Sequence, residues 1–162
     1  MTDRARPTFD EVYAACHRSV YTLCRSLLGN ADDAKDAMQD AFIAVARNLE
    51  SFRGESSVKT WSHRIAVNAA LRVRARRGRH HYDDLPEDLA AQTPVRDGAV
   101  RRAVTMLSLD HQLVLAMFAL EGMTHPEIAE TLGIPEGTVW SRLHAAKKRL
   151  AELLVERVRE AS

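Results

Sequence analysis

The chain has 162 residues, of which 46% are hydrophobic, 6% are aromatic and 28% are charged, and its formal net charge is +1. This length suits one domain or two small ones, and the low aromatic content without strand-like alternation predicts a nearly all-α protein. No run of about 18 apolar residues and no signal-peptide pattern occur, so we expect no membrane insertion and a cytoplasmic location.

Three helices are predicted in the N-terminal half, and local signals mark their ends. The first begins after Thr8, which has capping-box spacing with Glu11, and it ends at Gly29. The second begins at Asn30, extends to about Leu49 and carries acidic residues in its early turns. The predicted buried face of the second helix consists of Met38, Phe42, Val45 and Leu49.

Both cysteines of the chain, Cys16 and Cys24, fall on the inner side of the first predicted helix. Cysteines placed in this way are more often core residues than a disulfide or a metal site. The sequence therefore predicts two thiols in the core of the N-terminal half.

The third predicted helix spans residues 57–77 and is strongly basic. The interval from Ser56 to Tyr82 contains seven lysine and arginine residues and no acidic residue. This pattern indicates a contact with nucleic acid. Trp61 could stack on a base, but a tryptophan at helical spacing is more often a core residue, and we favour the core.

Residues 79–98 are polar, contain proline and glycine, and lack helical periodicity. This composition predicts a flexible linker between two domains. The run from His80 to Asp84 could in principle hold a metal ion. A metal site needs further ligands from other elements, and no histidine or aspartate elsewhere has an obvious matching spacing. We therefore expect neither a metal nor a cofactor.

Residues 125–149 contain the most informative pattern in the chain, which is two helices joined by a tight turn. Thr124 and Glu127 form a second capping-box pair, Gly133 suits a left-handed helix end, and Pro135 suits the start of the next helix. The pattern predicts a helix-turn-helix, whose second helix normally lies in the DNA major groove.

The apolar residues of the second of these helices define its orientation. Val139, Leu143, Ala146 and Leu150 recur at helical spacing and are expected to face inward. The outer side and its flanks then carry donors suited to base edges (Ser141, Arg142, His144) and cations suited to phosphates (Lys147, Lys148, Arg149). The alternative is an amphipathic helical hairpin with a solvated charged face.

The two halves together resemble RNA polymerase sigma factors of the extracytoplasmic-function type (group 4) in the sigma-70 family. The N-terminal resemblance lies in residues 27–30, 33–34, 36–42, 52–57, 60–61, 64–66 and Asn68. The C-terminal resemblance lies in residues 121–124, 127–129, 133–135 and 137–143. The resemblance implies two small helical domains, region 2 at residues 9–78 and region 4 at residues 99–158, with the linker at 79–98 between them.

The resemblance also implies roles for individual residues. Core polymerase would be contacted by Asp36, Gln39 and Asp40. The −10 element of a promoter would be contacted by Phe52, Arg53, Ser56, Lys59, Arg64, Asn68, Arg72 and Arg76. The −35 element would be contacted by Thr138, Trp140, Ser141, Arg142, His144, Lys147 and Lys148. The implied partners are core RNA polymerase (β′ clamp helices and β flap), promoter DNA and an anti-sigma factor in a bacterial cytoplasm.

Several positions depart from the family pattern. Val58 replaces an aromatic residue, His63 stands where tyrosine is common, and His125-Pro126 is unusual at the start of the helix-turn-helix. The departures at Val58 and His63 leave the −10 preference open, whereas proline in the first turn of a helix costs little.

Two other classes of protein were weighed against a sigma factor. A free-standing helix-turn-helix repressor or activator would need a dimer interface or ligand pocket in the N-terminal half, and the sequence shows neither. An enzyme would need a nucleophile elbow, a phosphate loop or a paired-carboxylate cleft, and none of these patterns occurs. The sequence therefore predicts a non-enzymatic factor for promoter-specific transcription initiation.

Overall fold

The computed structural model describes residues 6–77, 98–160 and 162, and every regular element in these ranges is a helix. The helices are α1 (Phe9–Leu28), α2 (Ala31–Asn48), α3 (Val58–Arg77), α4 (Gly98–Thr105), α5 (Leu109–Ala119), α6 (His125–Leu132) and α7 (Glu136–Glu160). A 3₁₀ turn, Leu49–Ser51, follows α2. None of the described helices is long and apolar enough to cross a membrane.

The chain divides into two compact units, which confirms the expected all-α architecture with two helical domains. The first unit holds α1, α2 and α3, and the second holds α4, α5, α7 and the greater part of α6. The predicted linker and the run from His80 to Asp84 lie outside the described residues, except for Gly98, which begins α4.

Local capping interactions determine where α1 begins and how α1 connects to α2. Thr8 accepts a hydrogen bond from the Glu11 N–H at 3.3 Å, and the Glu11 carboxylate accepts one from the Thr8 N–H at 2.7 Å. Gly29 ends α1 with a φ of +79°, in the left-handed region that glycine adopts easily. Asn30 then caps α2 by accepting a hydrogen bond from the Asp33 N–H at 2.8 Å. Only two residues therefore separate the two helices.

The three helices of the first unit pack against one another around a core rich in alanine. The prediction for the buried face of α2 is partly wrong. Phe42 and Val45 are buried, but Met38 is only half-buried and Leu49 lies beyond the helix, half-buried in the 3₁₀ turn. The remaining core positions of α2 are Ala34, Ala37 and Ala41. Small side chains let neighbouring helices approach closely, whereas a search for large apolar residues overlooks them.

Cys16 and Cys24 are both buried and free, as the sequence predicted for core residues. Burial raises the pKa of the Cys24 thiol to about 12 and also raises the pKa of Cys16 above its usual value of 9.0. Both thiols are therefore protonated at neutral pH. Two buried, protonated thiols behave as small apolar side chains in this core.

In the second unit, the predicted capping box and turn are both present. The Glu127 carboxylate accepts a hydrogen bond from the Thr124 N–H at 2.7 Å, and the Glu127 N–H donates to the Thr124 hydroxyl at 3.4 Å. Gly133 ends α6 with a φ of +66°, and α7 begins at Glu136 directly after Pro135. These features confirm the predicted helix-turn-helix.

The long helix α7 organises the second unit. Helices α4 and α5 pack against it, and a cluster of apolar residues from α4 and the α4–α5 connection meets the C-terminal half of α7. Val139, Leu143 and Ala146 are buried as predicted, while Leu150 is half-buried. The orientation of α7 is thereby set, and its opposite side lies in solvent.

Candidate nucleic-acid and polymerase interfaces

Four side chains predicted to contact the −10 element lie in a single exposed row on α3. Arg64, Asn68, Arg72 and Arg76 follow one another at intervals of four residues, and all four are exposed. Residues four apart lie on the same face of an α-helix. We call this set the polar row of α3, and its three guanidinium groups can follow a phosphate backbone.

Lys59 does not join the polar row. It lies five residues before Arg64, which places it about 140° around the helix. Its side chain is half-buried, and its positive charge acts on the Cys16 thiol of α1. The structure therefore places Lys59 on a different side of α3 from the arginines with which the sequence grouped it.

The loop that precedes α3 is held by its own side chains. The Ser57 hydroxyl accepts a hydrogen bond from the Thr60 N–H at 3.0 Å and so caps α3. The rings of Phe52 and Trp61 pack with their centroids 4.9 Å apart, and both residues are half-buried. This packing supports the core interpretation of Trp61. Of the other two residues predicted in the loop, Arg53 is exposed and Ser56 is half-buried.

His63, at one position that departs from the family pattern, is completely buried. Its Nδ1 lies 2.7 Å from the Lys59 carbonyl oxygen, so this nitrogen donates a hydrogen bond one turn back along α3. The imidazole is part of the packing of the first unit. It offers no exposed ring on which a base could stack.

The acidic face of α2, defined by Asp36, Gln39 and Asp40, is exposed on one side of the helix. Two of its members make ion pairs with the end of α3. Asp36 lies 2.8 Å from Arg77, and Asp40 lies 3.2 Å from Arg76. Arg77 also contacts Asp33. The acidic face, the two arginines and Val73 line a groove of about 320 Å³ between α2 and α3.

One of these ion pairs joins residues for which the sequence predicted different partners: Asp40 was assigned to polymerase and Arg76 to the −10 element. Because the first half of α2 lies beside the end of α3, the Asp40 carboxylate lies 3.2 Å from the Arg76 guanidinium. Surface ion pairs contribute only about 0–1 kcal/mol, so a stronger partner can displace either side. Sequence reasoning missed these pairs because they link positions 36 or 41 residues apart.

The outward face of α7 carries the residues that the sequence assigned to it. Gly137, Ser141, His144 and Lys148 are all exposed, opposite the buried apolar residues. The Ser141 hydroxyl donates a hydrogen bond to the Thr138 carbonyl oxygen at 3.0 Å, and Thr138 itself is half-buried. No acidic residue lies between Glu136 and Glu152. This face therefore presents donors and positive charge with no acid on its own stretch of helix.

The flanks of α7 are held by residues from other helices. On one flank, the Arg142 guanidinium lies 3.0 Å from the Asp110 carboxylate in the first turn of α5. On the other flank, Trp140 stacks on His125 and the Lys147 ammonium lies over the Phe118 ring. Asp110, Phe118 and His125 were not identified as site residues, and only the unusual His125-Pro126 pair drew attention to one of them.

Within the described ranges, no group of three or more histidine, cysteine, aspartate or glutamate residues could hold a metal ion. The run from His80 to Asp84, the one metal-binding candidate of the sequence, lies outside those ranges. The chemistry of the described surfaces is thus that of charge, hydrogen bonding and aromatic stacking.

Comparison with known proteins agrees with this geometry. The Sigma-70 region 2 family matches residues 12–80, and the Sigma-70 region 4 family matches residues 97–150. The ECF RNA polymerase sigma factor SigM of Mycobacterium tuberculosis is 36% identical over 157 residues, which cover 92% of this chain and 78% of SigM. The sigma factor SigE of Mycolicibacterium smegmatis is 32% identical over 170 residues, which cover 98% of this chain and 66% of SigE.

A solved structure resembles the chain as well. The sigma factor RpoE, crystallised with the anti-sigma factor NepR from Bartonella quintana, matches with a TM-score of 0.75 and 25% identity. The match covers 90% of this chain and 96% of RpoE. The chain therefore belongs to the sigma-70 family, among the extracytoplasmic-function sigma factors of RNA polymerase.

Proposed function

We propose that this chain binds core RNA polymerase and gives it a preference for particular promoters, as a transcription initiation factor without enzymatic activity of its own. The observation that supports this most strongly is the presence of two separate basic surfaces. The polar row of α3 lies in one compact unit, and the outward face of α7 lies in the other. Two such surfaces suit two elements of one promoter.

The first unit is proposed to hold the opened −10 element. An opened promoter exposes unstacked bases and a single-stranded phosphate backbone, which need a basic track beside polar groups. Arg64, Arg72 and Arg76 provide the track, Asn68 lies between them, and the exposed Arg53 precedes them in the loop. The proposed −10 surface comprises Phe52, Arg53, Ser56, Arg64, Asn68, Arg72 and Arg76, together with Lys59 on a different side of α3.

The second unit is proposed to read the −35 element in duplex form. An α-helix fits the major groove, where hydroxyl, imidazole and guanidinium donors can reach base edges. The proposed −35 surface comprises Thr138, Trp140, Ser141, Arg142, His144, Lys147 and Lys148. The same unit would contact the β flap of the polymerase.

The acidic face of α2 is proposed to dock on the β′ clamp helices. Asp36 and Asp40 are exposed and already attract arginine side chains within the chain, which supports a basic partner surface. Because core polymerase works in the bacterial cytoplasm, the chain is expected to act there.

Control by an anti-sigma factor is part of the proposal. RpoE, whose fold this chain shares, was crystallised with the anti-sigma factor NepR. An anti-sigma factor that covers the same polar and acidic surfaces would block both polymerase and promoter. A free-standing repressor is not favoured, since the N-terminal half is a sigma-70 region 2 unit.

The test compares DNA binding by the isolated chain with binding by the reconstituted holoenzyme. With a net charge of +1, the isolated chain has little long-range attraction for DNA, so it should bind promoter DNA weakly and without sequence preference. The holoenzyme should bind tightly and specifically, and a promoter scrambled at both elements serves as control DNA. Tight, specific binding by the isolated chain in a gel shift would overturn the proposal in favour of a repressor.

A further inference from the structure

Four side chains from three helices form a continuous row along one flank of α7. The Lys147 Nζ lies 4.6 Å from the centre of the Phe118 ring, and the centres of the Phe118 and His125 rings are 5.5 Å apart. The imidazole of His125 is 3.9 Å from the Trp140 ring and parallel to it within 9°. We call this set the aromatic row. It ties the recognition helix to the end of α5 and the start of α6.

Trp140 is the exposed end of the aromatic row. Its residue surface is 58% exposed, although a large aromatic side chain gains free energy by burial. Its neighbour His125 is half-buried and covers one face of the indole. A tryptophan on a solvated helix surface would otherwise sample several rotamers, so the stack selects one orientation.

Trp140 lies at the edge of the outward face of α7. It shares its flank with His144 and Lys147, which follow it by four and seven residues. The buried side of α7, with Val139 and Leu143, faces elsewhere, so the stack adds little to the core of the second unit. An indole held at this edge can make apolar contact with a thymine methyl group or a sugar in the major groove.

We infer that His125 is a positioning residue: by stacking on Trp140 it orients the indole toward the −35 element and sharpens base preference there. This inference rests on the proposed function of the second unit. On the opposite flank of α7, Asp110 orients Arg142 less strongly, because their ion pair is partly exposed and is therefore screened by salt. The stack of His125 on Trp140 is instead a parallel contact between two rings.

The first experiment measures how accessible Trp140 is in the unbound chain. The chain has two tryptophans, so a Trp61→Phe background makes Trp140 the single emitter. Removing the covering ring with His125→Ala should raise the acrylamide quenching constant about twofold, since one indole face is uncovered. His125→Phe keeps a stacked ring and should restore the original quenching. His111→Ala, another half-buried histidine of this unit, should change nothing.

The second experiment measures base preference with the holoenzyme on a promoter library randomised at the −35 positions. His125→Ala should reduce discrimination about fivefold at one or two positions, as expected for a lost base contact. The salt dependence of binding should stay unchanged because phosphate contacts are retained. His125→Phe should recover the preference. A merely structural role would instead weaken binding to all sequences equally.

The outcomes separate the inference from the proposed function. Unchanged quenching in His125→Ala would refute the stack, and altered quenching with unchanged base preference would refute the positioning role. If His125→Ala does not fold, His125→Asn, which keeps a polar side chain but removes the ring that covers the indole, carries the same expectations. A wild-type holoenzyme that ignores the −35 sequence would overturn the proposed function itself, while quenching still tests the stack.

Discussion

Each of the two units contains a basic helix, but the residues that lie beside this helix differ between the units. In the first unit, Arg76 and Arg77 at the end of α3 pair with carboxylates at the start of α2. In the second unit, the stretch of α7 from residue 137 to residue 151 contains no acid, and its flanks are held by aromatic rings and by the carboxylate of Asp110.

This difference shows that charge separated along a sequence need not stay separated in space. The acidic turns of α2 and the basic end of α3 look like two independent surfaces until packing places them side by side. A partner that binds the carboxylates of α2 would break these ion pairs and leave the arginines of α3 able to contact DNA. The second unit needs no such exchange, because the cations on its outward face, such as Lys148, already lie in solvent.

The largest expected effect tests the acidic face of α2. Replacing Asp36, Gln39 and Asp40 together by alanine should cost about 2–5 kcal/mol of core-polymerase binding, as charge pairs and hydrogen bonds are lost. Since the three residues are exposed, the fold should survive, with only the weak ion pairs to α3 removed. Pull-down with core polymerase and circular dichroism on the same protein measure both quantities.

Glu50→Ala, an exposed acid outside α2, provides the control for this variant. A folded triple variant that binds core polymerase as well as wild type would contradict the docking assignment. An unfolded triple variant would show that the acidic face stabilises the fold, and a role in polymerase binding would then have no support from this variant.

The next effect uses the fact that both cysteines lie in the first unit. The pKa of Cys24 is raised by burial from 9.0 to about 12, so the unfolded chain loses this proton before the folded chain does. The contribution of the thiol is complete below pH 9 and is lost as the pH rises toward 12, at about 1.4 kcal/mol per unit of pKa difference. Urea unfolding of the chain from pH 8 upward should show this loss.

Cys24→Ala supplies the control, because lysine and tyrosine residues also titrate in this range. The variant should be less stable at pH 8 but should lose less stability on going to higher pH. An equally steep decline in the variant would show that groups other than Cys24 cause the alkaline instability.

A third test separates base contacts from phosphate contacts on α7. Arg142→Ala should cost about 1–3 kcal/mol and relax base preference in the −35 element. Lys148→Ala should weaken binding to all sequences alike and reduce the salt slope by about one. Quantitative binding of the holoenzyme to matched and mismatched promoters at several salt concentrations measures both.

Asp110→Asn refines this test, since it leaves Arg142 in place but removes its ionic partner. A changed base preference in Asp110→Asn would mean that the ion pair orients the arginine. If Arg142→Ala instead reduces binding equally for every sequence, Arg142 does not contact bases, and its role is to hold α7 against α5 through Asp110.

The smallest expected effect concerns the pair between Asp40 and Arg76. Asp40→Asn should raise the affinity of the unbound chain for single-stranded −10 DNA by at most about 1 kcal/mol, because an exposed ion pair is weak. Asp32→Asn removes the same charge from an exposed residue of α2 that forms no ion pair within the described part of the chain. Fluorescence anisotropy should detect a larger gain for Asp40→Asn; equal gains would show that only total charge matters.

Local signals in the sequence were sufficient to predict most helix boundaries. Thr8 and Thr124 cap α1 and α6 through partners three residues away, and Gly29 and Gly133 end those helices with positive φ. These interactions involve neighbours in the chain, so no knowledge of packing was required. The same holds for the outward face of α7, because its apolar spacing determines which side must be buried.

What the sequence determined by itself is therefore local: the helices α1, α2, α3, α6 and α7, the turn between α6 and α7, and the residues that α7 presents, whereas α4 and α5 were not predicted. Tertiary structure alone decided which distant residues meet. It placed Arg77 beside Asp36, brought Lys59 of α3 near the Cys16 thiol of α1 and stacked His125 on Trp140. Such contacts depend on how helices pack, and a one-dimensional pattern of polar and apolar residues does not specify that packing.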